Sequence, residues 1–181
     1  MKKNRKNLSN VEMKGADFSE NETLKSIKSS SIPNGNFNSS NMPKIKIEKS
    51  DLSSSDLQKC NIYKSKIIDS NLSKTNWDWS NLSHGTLDNI NLNKTSFECA
   101  SIRDTELNEC KLTGANFRFS NLEKSKLKNC NLKEANFCNS NLKNVQFIDC
   151  NLKGATFNMQ TTLPFSLDRA KEMGMVYIPM Q

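Results

Sequence analysis

The sequence predicts an all-β solenoid, a four-sided β-helix closed at its C-terminal end by a short helical cap. Three observations carry this. One apolar residue recurs every five positions from Leu52 to Phe157 with no polar exception. A small residue stands two positions before almost every member of that series. The aromatic members fall at multiples of twenty.

The apolar series runs Leu52, Leu57, Ile62, Ile67, Leu72, Trp77 and on at the same interval. Backwards, Ile47, Met42, Phe37, Ile32 and Ile27 keep the frame, and Glu22 breaks it. A period of five matches neither a helix nor a long strand; it fits a short extended side followed by a turn. The small sites include Ser50, Ser55, Cys60, Ser65, Thr75, Ala100, Cys110 and Ala155, with Ile90 and Val145 as larger exceptions. A small and a bulky residue two apart point to the same side of an extended segment. The residue between them is mostly Asn, as in Cys130-Asn131-Leu132.

The number of sides follows from the phase of the aromatics. Phe37, Trp77, Phe97, Phe117, Phe137 and Phe157 share one phase of twenty, and only Phe147 departs from it. Cys110, Cys130 and Cys150 repeat at the same interval. Twenty residues over a unit of five gives four sides per coil, so residues twenty apart stack and the aromatics form a ladder on one inner wall. At the strand spacing of about 4.8 Å, residues 32–157 make about six and a half coils and a rod roughly 30 Å long.

The ends depart from the pattern. Leu8, Met13 and Phe18 are five apart but one residue out of frame with Ile27. Residues 1–26 therefore read as a short basic arm, Met1 to Lys6, and a degenerate first coil. Residues 27–159 form the β-helix, and 160–181 a cap or dimerisation segment. Ser166 is suited to N-cap a helix running to about Met173, with Gly174 as its stop. Leu163, Phe165, Leu167, Ala170, Met173 and Val176 are expected to close the last coil.

Units such as Ala115-Asn116-Phe117, Ser120-Asn121-Leu122, Ala135-Asn136-Phe137 and Ser140-Asn141-Leu142 resemble the A-(D/N)-L-x-x pattern of the pentapeptide-repeat family. The resemblance covers about 27–157. It implies a right-handed quadrilateral β-helix and little about activity, since one fold hosts many functions. Members of that family include DNA mimics that bind DNA gyrase and effectors delivered into host cells. Some pair through C-terminal segments.

Composition narrows the function classes. Only 35% of the 181 residues are hydrophobic, low for a globule but suited to a solenoid with a thin continuous core. The formal charge of +7 favours acidic partners. No apolar run approaches a membrane span. No apolar stretch follows the basic start, which reads against a cleaved signal. Six cysteines without a C-x-x-C spacing point to a reducing cytoplasm; delivery into a host cell by a non-cleaved signal is the alternative.

No catalytic constellation, cofactor motif or metal-ligand spacing appears. The cysteine column reads as small buried residues interchangeable with Ser and Ala, and His84, the sole histidine, as a surface residue. Two groups stand out as candidate contacts. Trp79, Cys99, Phe119 and Met159 fall at outward turn positions beside the aromatic wall, a pattern that suggests a protein contact. Lys74, Lys94, Lys111, Lys133 and Lys153 line the wall through Leu52 and Leu152, where they suit an anionic partner. The opposite wall, through Ile62 and Leu122, carries Lys44, Lys64, Arg103, Lys124 and Lys143.

The expected function is a non-enzymatic binding or scaffold module that engages another protein, with secretion as an effector as a special case. Homodimerisation through the C-terminal segment and weak nucleic-acid binding are further partner expectations. The alternative is a DNA mimic acting on gyrase or another type II topoisomerase. The net positive charge argues against it, because mimicry of phosphates needs a continuous acidic surface.

Overall fold

A computed structural model describes residues 6–179. The expected basic arm lies outside the described residues except for Lys6. The chain winds into a parallel β-solenoid. One wall is a continuous eight-stranded parallel sheet: β1 (Asn7–Ser9), β2 (Ser26–Lys28), β3 (Lys46–Glu48), β4 (Lys66–Ile68), β5 (Thr86–Asp88), β6 (Glu106–Asn108), β7 (Lys126–Lys128) and β8 (Gln146–Ile148). The other three walls stack through single parallel bridges, such as Asn71↔Asn91, Asn76↔Ser96 and Asn61↔Asn81.

From β2 through β8 the register is twenty residues, as in Ile47↔Ile67 and Leu87↔Leu107. The first coil is one residue shorter: Leu8 pairs with Ile27. Asn21 closes the short side. Its Oδ1 accepts from the Thr23 and Leu24 amides at 2.9 and 2.8 Å, and Leu24 is fully buried beside it. This accounts for the frame break at Glu22.

Each position of the five-residue unit has its own physical task. The central apolar residues from Leu8 to Phe157 fill the interior, Phe147 alone being partly exposed in the regular series after Ile27. The preceding Asn serves twice. The Asn71 Oδ1 accepts from the Ser73 amide at 3.2 Å and from the Asn91 Nδ2 of the next coil at 3.1 Å. The small residue is often a donor as well as a space-saver. Ser40, Ser55, Thr95 and Thr105 hydroxyls reach carbonyls of Phe18, Ile32, Leu72 and Leu82 in the coil before. The last residue of the unit, two after the centre, forms the corner and takes φ near +50 to +60°, as at Lys74 (φ 58°) and Asn139 (φ 61°). That conformation costs an L-residue roughly 1–2 kcal/mol. Inter-coil backbone bonds offset it, such as Lys74 N to Asn93 O at 2.9 Å.

Inside, Trp77, Phe97, Phe117 and Phe137 form one face-to-face stack, with successive centroid distances of 6.3, 5.1 and 5.1 Å. The Trp77 indole N–H donates to Thr75 Oγ1 at 2.8 Å, so the ring is buried without an orphaned donor. Phe18 and Phe37 form a separate stack below Leu57.

The top is closed by β9 (Thr156–Phe157), α1 (Leu167–Glu172) and β10 (Val176–Tyr177), which pairs in parallel with β9. Ser166 caps α1 by accepting from the Arg169 amide, and Gly174 leaves the helix at φ 79°, as the sequence predicts. Ala170 is fully buried, and Leu163, Phe165 and Met173 pack partly against the core. Leu167 and Val176 do not: they are 58% and 45% exposed. The buried residue in their place is Met175. Its amide bonds back to the Ala170 carbonyl, which turns its side chain inward and Val176 outward. Phe147 joins the cap to the rod, meeting Phe137 edge-on and Phe165 at 6.1 Å.

Candidate functional site

Trp79, Cys99 and Phe119 occupy corner positions twenty residues apart, at φ 63, 58 and 57°. Their amides bond to Glu98, Arg118 and Cys138 carbonyls in the next coil, so each is fixed to the frame of the rod. Trp79 is 66% exposed and Phe119 49%. Two coils put their backbones about 10 Å apart. The Arg118 guanidinium lies 5.2 Å from the Phe119 ring centroid, a cation–π contact that leaves part of the ring open.

Met159 does not continue this line. The register slips after Phe157, where Asn141 pairs with Thr162, twenty-one residues on. The extra residue lies in the loop that Asn158 and Thr161 close through an amide-to-hydroxyl bond at 3.1 Å. Met159 is 68% exposed there, but at the C-terminal end, in a recess shared with Phe157, Leu167, Lys171 and Tyr177.

Lys74, Lys94, Lys111, Lys133 and Lys153 are all exposed along the Leu52 wall. Lys133 pairs with its neighbour Glu134 at 3.3 Å. On the opposite wall lies a shallow groove of about 480 Å³ that sequence reasoning missed. Trp79 and Cys99 form one rim and Tyr63, His84, Arg103 and Asp104 the other, with Asn81, Ser83 and Ser101 also lining it. The Ser83 and Ser101 hydroxyls bond each other at 2.8 Å. A signal was present: Ser101 interrupts the column Asn61, Asn81, Asn121, Asn141, two pairs of which bond side chain to side chain.

All six cysteines are free thiols. Cys110, Cys130 and Cys150 continue the column that starts with Ser30, Ser50 and Ser70. Like those serines, each bonds the carbonyl two residues before it. Burial pushes the Cys60 thiol up to about 12. Contact with the Cys110 thiol, with burial adding to it, raises Cys130 to about 12, and contact with Cys130 followed by burial raises Cys150. Near neutrality these thiols stay protonated and are poor nucleophiles or ligands. Among the described residues no group of three His, Cys, Asp or Glu side chains could hold a metal ion, and no helix is long and apolar enough to cross a membrane. The His84 Nε2 lies 4.0 Å from Asp104 and its ring packs edge-on against Tyr63, with no serine or thiol nucleophile bonded to it.

Known structures share this architecture. Two trypsin-treated variants of QnrB1, a plasmid-mediated fluoroquinolone resistance protein, superpose with TM-scores of 0.68 and 0.57 at 14% and 9% identity. The first match covers 98% of this chain and 88% of that one, the second 95% and 92%. HetL from the cyanobacterium Nostoc sp. strain PCC 7120, involved in heterocyst differentiation regulation, matches at 18% identity and a TM-score of 0.39 over 94% of this chain and 84% of that one. At these identities the QnrB1 likeness is one of fold. No curated protein sequence matches the chain. The sequence profile of the pentapeptide repeat region family matches residues 40–117 and 100–171. With that match spanning most of the rod, and with four walls built from five-residue units, the chain belongs to the pentapeptide-repeat family.

Proposed function

We propose that this chain is a non-enzymatic binding rod that holds a protein partner through the stripe formed by Trp79, Cys99 and Phe119. The observation that carries the reading is the exposure of two large aromatic rings at left-handed corners. Asn or Gly serves those corners at lower conformational cost. Apolar rings there gain nothing for the core and carry an aggregation risk, which a contact site accounts for. A rigid rod also loses little entropy when a flat face docks. Among the described residues the interior is filled by the apolar column side chains, in keeping with a binding role. Free thiols throughout support a reducing, cytoplasmic setting. Site-specific photocrosslinking tests the contact: a photoreactive residue at position 119 should trap a discrete partner that the same residue at position 94 does not. Equal trapping from both positions sinks the proposal.

A second contact, between two copies of the chain, is favoured by the C-terminal end. Met159, Leu167, Val176, Tyr177 and Ile178 are 41–68% exposed there. The gyrase reading draws on the gyrase-binding members of the pentapeptide-repeat family alone. Against it stands the charge pattern: Asp69, Asp88, Glu106 and Glu109 form an acidic band on the sheet wall, but Lys46, Lys49 and Lys66 bound it on one side and Lys126 and Lys128 on the other.

A further inference from the structure

We infer that the wall through Ile62 and Leu122 binds single-stranded nucleic acid, its bases stacking on Trp79 and Tyr63 and its phosphates meeting the cations along that wall. This goes beyond the protein contact: it adds the Ile62 wall and shares with the stripe only the rim formed by Trp79 and Cys99.

The two basic walls provide an internal comparison. Over residues 51–154 the Leu52 wall carries Lys74, Lys94, Lys111, Lys133 and Lys153 against Asp51 and Glu134. Over residues 41–144 the Ile62 wall carries Lys44, Lys64, Arg103, Lys124 and Lys143 against Asp104 and Glu123. The excess is the same, three positive charges, so charge alone does not distinguish them. Side-chain chemistry does. The Leu52 wall presents no aromatic residue over that span, whereas Tyr63 and Trp79 both line the groove of the Ile62 wall.

The groove is where the repeat breaks its own pattern. Ser83 replaces the larger Tyr63, Arg103, Glu123 and Lys143 of its column, and Ser101 replaces Asn. Both changes lower the surface between the two rims, beside the coil in which a corner carries an exposed indole. The Lys64 Nζ sits 5.2 Å from the Tyr63 ring centroid, so cation and aromatic are already adjacent. Lys44, Lys64, Lys124 and Lys143 have no carboxylate partner among the described ion pairs, while Arg103 is held by Glu123 at 3.2 Å. Free cations along a track with aromatic platforms in a shallow groove are what an unpaired strand requires: charge for the backbone, ring faces for unstacked bases. A duplex, with its bases already stacked, would use the charge and leave the rings idle.

The test is fluorescence anisotropy of a labelled oligothymidylate at low salt, using the intact chain. Binding is expected, falling as salt rises in proportion to the few phosphates engaged. Tyr63→Ala should weaken it about tenfold, within the range for loss of one stacking platform. Lys64→Ala with Lys124→Ala should weaken it and flatten the salt dependence. Lys74→Ala with Lys94→Ala, on the wall of equal charge, should leave it unchanged. None of these positions belongs to the protein-contact stripe, so photocrosslinking from position 119 reports on that reading separately. Equal losses from both lysine pairs, a duplex of the same length bound as tightly as the single strand, or no binding at low salt would each overturn the inference.

Discussion

Phe97 and Phe117, twenty residues apart in sequence, lie with ring centroids 5.1 Å apart and planes 7° from parallel. Twenty residues is thus one turn of the rod, and the interior is a set of side-chain columns in which each residue packs on its own counterpart one coil away. A fault in one coil therefore acts on both neighbours.

Removing one ring tests this directly. Phe117→Ala should cost about 3–5 kcal/mol, because the rings above and below cannot collapse into the gap. Leu122→Asp should cost several kcal/mol by burying a carboxylate without a partner. Lys74→Ala, on an outward corner, should leave the melting temperature nearly unchanged. Melting curves of the three variants decide it, and three equal midpoints would contradict the inward and outward assignment.

The buried thiols predict an alkaline limit. In the unfolded chain Cys60 and Cys130 ionise near the ordinary thiol value of 9.0, whereas in the rod both are raised to about 12. Between those values the folded state holds protons that the unfolded state has released, so stability falls as pH rises from about 9 towards 12. Cys130→Ser keeps a small donor, as Ser30, Ser50 and Ser70 do in the same column, and should flatten the decline. Melting temperature against pH for both proteins is the measurement; parallel curves would show that the thiols do not contribute.

Charge predicts the outcome of a gyrase assay. The acidic band on the sheet wall is short and bounded by lysines, so it cannot stand in for a run of phosphates. Supercoiling by DNA gyrase should proceed unchanged at micromolar protein. Inhibition that persists at moderate salt would promote the DNA-mimic reading over the protein-contact one.

Much of this architecture was legible in the sequence because each feature depended on local spacing. The Phe97–Phe117 stack follows from phase alone, and the Ser166 cap from a residue type at a helix start. Features that depend on a changed phase were harder to read. Met159 looked like the next member of the Trp79 column until one extra residue between Phe157 and Thr162 moved it to the end of the rod. Leu167 and Val176 looked like lid residues because they are apolar; the backbone turn at Met173–Met175 decides instead that Met175 goes in. The groove joins Tyr63 to Trp79 and Arg103, residues on different coils and opposite edges of one wall. No five-residue pattern places them together.

The stripe is the centre of the functional account, and the double variant Trp79→Asn with Phe119→Asn tests it most directly. Asn tolerates the left-handed corner and keeps the backbone amide that bonds to the next coil. The melting temperature should therefore hold or rise slightly, while capture of the partner trapped from position 119 should be lost. A variant that unfolds would show that the two rings belong to the core. Retained folding with undiminished capture would contradict the claim that this stripe is where the rod is held.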